Sequence, residues 1–225
     1  MLLRQFLAFE LAIFLGTSST VPRPPALGVV VEADRVHVNS GEISIGATIY
    51  DGDQFSTEPG GMLLLRGDAM TLELIEESAM LIHGRTNGAQ GAEAELSKGT
   101  LIFSTERAAA LGITALGARV DPTADVRTIA QITIAEPNEL RIYARRGDLQ
   151  FSYRGETETI AERSAFRVIL DASEEQPKKA ETIKPGHKRK AFLLIAISAG
   201  AAGASALAYE RHHHHHKPPE SPDRP

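Results

Sequence analysis

From Leu27 to Leu170 the chain alternates apolar and polar residues with a period of two. Thr71-Leu72-Glu73-Leu74, Leu101-Ile102-Phe103, Leu140-Arg141-Ile142-Tyr143 and Leu149-Gln150-Phe151-Ser152-Tyr153 each place their apolar side chains on one face of an extended chain. Turn-forming groups separate these runs: Asn39-Ser40-Gly41, Asp51-Gly52-Asp53, Pro59-Gly60-Gly61, Arg66-Gly67-Asp68, Asn87-Gly88, Lys98-Gly99, Arg146-Gly147-Asp148 and Arg154-Gly155. Such spacing, roughly 8 to 15 residues, is that of short antiparallel strands. The alanines between Thr105 and Leu111 mark the one expected helical turn. The pattern predicts an all-β domain over residues 27–170.

An internal echo refines the picture. Leu96-Ser-Lys-Gly99-Thr-Leu101-Ile-Phe103-Ser104 aligns with Ala144-Arg-Arg-Gly147-Asp-Leu149-Gln-Phe151-Ser152, with the two glycines 48 residues apart. In each copy a glycine turns the chain into a strand whose leucine and phenylalanine face one side. Repetition of this kind predicts similar β units assembled as a rolled sheet of short antiparallel strands or a short β-solenoid.

The period of two stops at both ends. Within Met1 to Leu15, Arg4 precedes an apolar run, the layout of a secretory signal, although Glu10 interrupts the run and Gly16-Thr17-Ser18 is only an approximate cleavage site. A short amphipathic first helix is the competing reading; residues 1–20 are taken here as a signal peptide or N-terminal hydrophobic segment. Residues 171–190 form a charged linker. Ala191 to Tyr209 is uncharged for 19 residues, without a polar stripe. As a helix it would reach about 28 Å, close to the thickness of a bilayer core. A C-terminal transmembrane helix over 191–209 is therefore expected, with the bilayer as a partner. Its small residues, Ala196, Ala199, Gly200, Gly203 and Ala204, have spacings that would allow self-association. Residues 210–225, which contain His212 to His216, are expected to be a polar, disordered tail.

Topology is pulled two ways. Lys178, Lys179, Lys184, Lys188, Arg189 and Lys190 lie on the domain side of the expected span and favour a cytoplasmic domain, whereas an export signal favours a periplasmic one. Export is preferred, because loop charge acts weakly on a long domain committed by its first segment. Composition narrows the function classes. A net charge of −5 argues against a nucleic-acid binder, and the absence of cysteine removes disulfides, thiolate metal sites and cysteine nucleophiles. The absence of tryptophan excludes a glycan cleft built on stacked indoles.

Ile45-Gly46-Ala47-Thr48-Ile49-Tyr50-Asp51-Gly52-Asp53-Gln54-Phe55-Ser56-Thr57, then Gly60-Gly61 and Met62 to Leu65, resembles the opening of a FecR-type domain. Glu95 to Leu101, and Arg146-Gly147-Asp148-Leu149 on to Val168, extend the resemblance over residues 28 to 170. The resemblance implies a periplasmic all-β domain, as in iron-dicitrate sensor regulators, that relays signals through protein contacts. The N-terminal sigma-factor-binding segment of those regulators has no counterpart here, the expected span follows the domain instead of preceding it, and the family's glycine-threonine step is not recognisable near Asp125 to Ile134.

Candidate chemistry is sparse. The His212–His216 tract could wrap a transition metal but reads first as a solvated spacer. Asp51, Asp53 and Glu58 lack the further alternating oxygen ligands of a Ca²⁺ loop, and read as turn residues satisfying local donors. His37 and His83 fall in strands as surface or edge residues, and His187 lies in the linker. No serine sits in a nucleophile elbow and no glycine loop follows the phosphate-cradling pattern. Arg141, Arg145, Arg146, Arg154 and Arg163 gather in the final strands; Arg141 and Arg145 share one parity and could form a basic stripe, with an ordinary solvated face as the plainer account. No catalytic residue, cofactor or metal ligand is assigned. The expectation is a non-enzymatic protein of the bacterial inner membrane that works as an interaction or signalling module on a protein partner in the envelope. A ligand-binding or adhesive module for glycan or another surface polymer is the alternative.

Overall fold

The structure, a computed structural model, describes residues 25–85, 91–171 and 191–197. It is all-β. The strands are β1 (Ala26–Val38), β2 (Gly41–Glu42), β3 (Thr48–Tyr50), β4 (Gln54–Arg66), β5 (Met70–Leu74), β6 (Ala79–Gly84), β7 (Ala92–Thr105), β8 (Leu111–Ala115), β9 (Ala118–Pro122), β10 (Thr128–Glu136), β11 (Glu139–Arg146), β12 (Leu149–Tyr153), β13 (Glu156–Ile160), β14 (Ser164–Leu170) and β15 (Phe192–Ile197). The expected helical turn is a 3-10 turn at Ala108–Ala110.

All fifteen strands join one sheet, whose main path runs β13-β12-β9-β8-β7-β10-β11-β14-β15, with β5 and β6 bridging β7 to β4, and β4 to β1. The organising element is β7. Its buried positions are Ala92, Ala94 and Leu96, then Leu101, Phe103 and Thr105, so the inward parity changes from even to odd. The change occurs at Gly99, which adopts φ +81°. The first half of β7 pairs with β6 and β8, the second with β5 and β10. Pairing of β7 with β8 is parallel, whereas the other pairings are antiparallel. A parallel connection normally needs a dozen or more residues. Only residues 106–110 separate β7 from β8, and they can span at most about 18 Å. They reach because β7 curls at Gly99, bringing its two ends together.

The core lies on the inner face of this curl. One buried cross-strand row runs Leu74, Leu101, Ile132 and Ile142; another runs Ile82, Ala94, Ile113, Val120 and Phe151. The two ends of the sheet path meet across the core. The ring of Phe151 on β12 packs edge-on against that of Phe192 on β15, centroids 4.8 Å apart at 73°. The Tyr153 hydroxyl donates to Asp171 at 2.9 Å, and the Ala191 N–H donates to Glu156 at 3.1 Å. The strands form one mixed sheet, not the wholly antiparallel one expected.

Three sequence expectations change. Pro59-Gly60-Gly61 does not end a strand but lies inside β4, at a bulge facing Arg35 of β1, where Gly60 takes φ +70° and Arg35 φ +49°. A Cβ on Gly61 would come within 2.7 Å of the Arg35 carbonyl oxygen, so glycine permits the close approach. Lys98-Gly99 likewise bends a strand instead of ending it. Strands are therefore longer than expected: β1 and β4 have 13 residues and β7 has 14.

The third change concerns the apolar run 191–209. Phe192–Ile197, expected to open a transmembrane helix, is instead strand β15, antiparallel to β14. An apolar run without a period is compatible with a helix or a buried strand. The pairing with β14 and the packing of Phe192 against Phe151 settle these six residues as a strand. Among the described residues no helix is long and apolar enough to cross a membrane. Residues 198–209, the N-terminal segment, the linker from 172 to 190 with His187, and the tail with His212–His216 lie outside the described residues.

Candidate binding groove

A groove of about 770 Å³ crosses the outer face of the sheet from Ile75 and Glu76, beyond the end of β5, to Ile197 on β15. Its floor is set by register. One row aligns Ile102, Gln131, Tyr143, Ala165 and Ile197; the next aligns Thr100, Thr133, Arg141, Arg167 and Ile195. Both rows have outward parity, opposite to the core rows. Five inter-strand steps of about 4.8 Å make the groove roughly 24 Å long. Thr100 and Thr133 share a hydroxyl hydrogen bond of 3.0 Å, and the Gln131 side-chain amide donates to Thr133 at 3.3 Å. A smaller concavity of about 320 Å³ near Asn39 and Met80 has neither an arginine nor a tyrosine in its lining.

Arg141 and Arg167 are the groove's charged centre. They stand directly opposite each other on β11 and β14, an arrangement of like charges that would destabilise the pair on its own. Glu139, two residues before Arg141 and on the same face, resolves the repulsion. Its side chain is only 4% exposed, and its two oxygens divide between the arginines: Arg167 Nη2 donates to Oε2 at 2.5 Å and Arg141 Nε to Oε1 at 3.3 Å. The Arg167 bond holds the Glu139 carboxyl below the usual carboxylate range, with Arg141 adding to it against the cost of burial. The same bond raises the pKa of Arg167. Each guanidinium carries five N–H donors, so these contacts leave donors on two half-exposed arginines turned toward solvent.

Of the residues singled out in the sequence, the structure brings Arg141 into this groove and disperses others. Arg154 pairs with Asp171 at 2.6 Å, and Arg163 with Glu162 at 3.5 Å. His37 meets Glu58 at 2.8 Å and His83 meets Asp51 at 3.2 Å, both on the surface. Asp53 serves its turn, accepting the Tyr50 N–H at 2.8 Å. Asp51 reaches instead across to β6, accepting the Gly84 N–H at 2.8 Å, which with His83 lowers its pKa. Sequence reasoning missed Arg167, because only the β11–β14 register sets residues 26 positions apart side by side. Glu139 was legible as a carboxylate two residues from Arg141 on one strand face, but not its second bond to Arg167.

A second charged cluster lies on the other side of the sheet path. Arg119 bonds Asp121 at 2.6 Å and Glu93 at 3.1 Å, while Arg85 lies 3.7 Å from Asp121. These side chains cover Gly112, where a Cβ would come within 2.7 Å of Arg119. Two cations and two anions balance, which fits a structural tie across β7, β8 and β9. Among the described residues no group of three or more histidine, cysteine or acidic side chains could hold a metal ion.

No protein-family model and no curated protein matches the chain. Among solved structures, two crystal structures described as "a putative anti-sigma factor" from Parabacteroides distasonis are similar, with TM-scores of 0.49 and 0.47 and 12% identity in both cases. The matches cover 68% of this chain and 63% and 64% of those chains, so this chain spans just under two thirds of their length. The FecR-type resemblance thus stands on the motif residues themselves.

Proposed function

We propose that this protein is an interaction and signalling module of the bacterial envelope, acting by contact and not by catalysis, whose outer-face groove receives a polypeptide segment. The observation that carries the reading is the groove's shape and lining. At roughly 24 Å it matches about seven residues of extended chain at 3.3 Å each, longer and more open than a pocket enclosing a compact ligand. Ile102, Ile197 and Tyr143 offer apolar and aromatic contact, and Arg141 and Arg167 offer oriented donors, the residue types that dominate protein interfaces. The FecR-type motifs add signalling to the reading, and the signal-like first segment adds the periplasmic face of the inner membrane.

A photo-crosslinking amino acid at Tyr143, in the full chain expressed in cells, tests this. One discrete protein adduct is expected, absent when the same group replaces Gly155 in an exposed turn, and reduced several-fold by Arg141→Gln. Equal adducts from both positions would sink the proposal. Retention of the purified chain on cell-wall polysaccharide, abolished by Arg141→Gln, would favour the ligand-binding alternative.

A further inference from the structure

The two ends of the sheet path are built differently. The terminal strand β13 carries Glu156 and Glu158, charges of the kind that guard a sheet edge against unwanted pairing. The other terminal strand, β15, reads Phe-Leu-Leu-Ile-Ala-Ile and has no charge, proline or glycine. Among the described residues β14 is its sole neighbour in the sheet. Leu193 is 49% exposed and Ile195 39%, two of the few large apolar side chains left open to solvent.

The free edge has a definite hydrogen-bonding pattern. The Asp171 N–H donates to the Ala191 carbonyl at 3.0 Å, so residue 191 turns its carbonyl toward β14. Backbone groups alternate along a strand, so Leu193, Ile195 and Ile197 also point toward β14, while Phe192, Leu194 and Ala196 point outward. Among the described residues, the N–H and C=O groups of these three residues have no strand partner along the edge.

We propose that β15 pairs antiparallel with β15 of a second copy of this chain, about a two-fold axis through Leu194. In that register Leu194 faces Leu194 of the second copy and Phe192 faces its Ala196. Each outward N–H and C=O of the three residues then gains a partner. Leu193 falls opposite Ile195 of the other copy at the closer type of antiparallel pair, Cα atoms about 4.5 Å apart on the same face. The two exposed side chains thus cover each other in both symmetry-related places. No charge is buried, because neither strand has one. A partner strand like β13 would bring glutamates against this edge, whereas a second β15 matches it in chemistry and length and closes the contact by symmetry.

The protein has no cysteine, so single cysteines report the register directly. Leu194→Cys in the full chain, in mild detergent under gentle oxidation, should give a disulfide dimer. The two Cα atoms would lie about 5.5 Å apart, within the range a disulfide spans. Ile197→Cys should not cross-link, because the two copies would be offset by six residues, about 20 Å. Cross-linking at both positions, or at neither, would overturn the pairing. Ile195→Lys provides a second arm: its side chain is partly exposed, so far-UV circular dichroism should stay unchanged while sedimentation shifts from dimer to monomer. A monomeric parent protein, or a dimer that survives Ile195→Lys through its small-residue segment, would refute the proposal.

Discussion

Gly99 shows how much one residue decides. Its Cβ, if present, would collide with the Ser78 hydroxyl, and its φ of +81° is strained for any L side chain. Thr100, next along, donates its N–H to Ser78 Oγ at 2.8 Å, so the two segments are tied at the bend. Gly147, its echo, has φ +75° and would meet Thr128 Oγ1 at 2.7 Å. Both glycines lead into a buried leucine and phenylalanine, as the repeated motif predicts. Gly155, at φ +82°, has open space around it. Gly99→Ala should therefore cost about 3 kcal/mol, backbone strain plus clash, and Gly155→Ala about 1 kcal/mol from strain alone. Urea unfolding of the two variants checks the difference; equal costs would mean that Ser78 gives way freely.

At the scale of elements, β15 is the least expected piece. A continuous apolar run carries no period to separate strand from helix, and its length alone suggested a membrane span. Pairing with β14 and the packing of Phe192 against Phe151 override that reading for residues 192–197. Phe192 is 3% exposed, so Phe192→Ala should destabilise the domain by about 3 to 5 kcal/mol, measured by thermal or urea unfolding. A loss below about 1 kcal/mol would show that β15 is not seated in the core. The same lesson holds for Pro59-Gly60-Gly61 and Lys98-Gly99. Residue chemistry announces a change of direction, but a neighbouring strand determines whether the chain ends there or bends and continues.

For the whole molecule, acid stability follows from the carboxylates that the fold holds ionised. Glu139 and Asp51 have folded-state pKa values below their ordinary ones. Such groups contribute stability that is fully present above the unfolded value, about 4, and lost as pH falls through the folded value. The unfolding free energy should decline as pH drops below about 5. Glu139→Gln should flatten that decline by at most one proton's slope, about 1.4 kcal/mol per pH unit. Denaturant titrations from pH 7 to pH 3 measure both, and identical slopes would remove Glu139 from the account. What the sequence by itself determined is what local physics can carry: the all-β class, which face of the alternating strands turns inward, and which residues can turn or bend the chain. These follow from the period-two geometry and from backbone freedom at glycine. Tertiary structure alone decided the rest: the curl of β7, the meeting of β12 with β15, the strand at Phe192–Ile197, and the placing of Glu139 beneath Arg141 and Arg167. Each depends on strand register between distant segments, and register is fixed by packing over the whole sheet, which no local window contains.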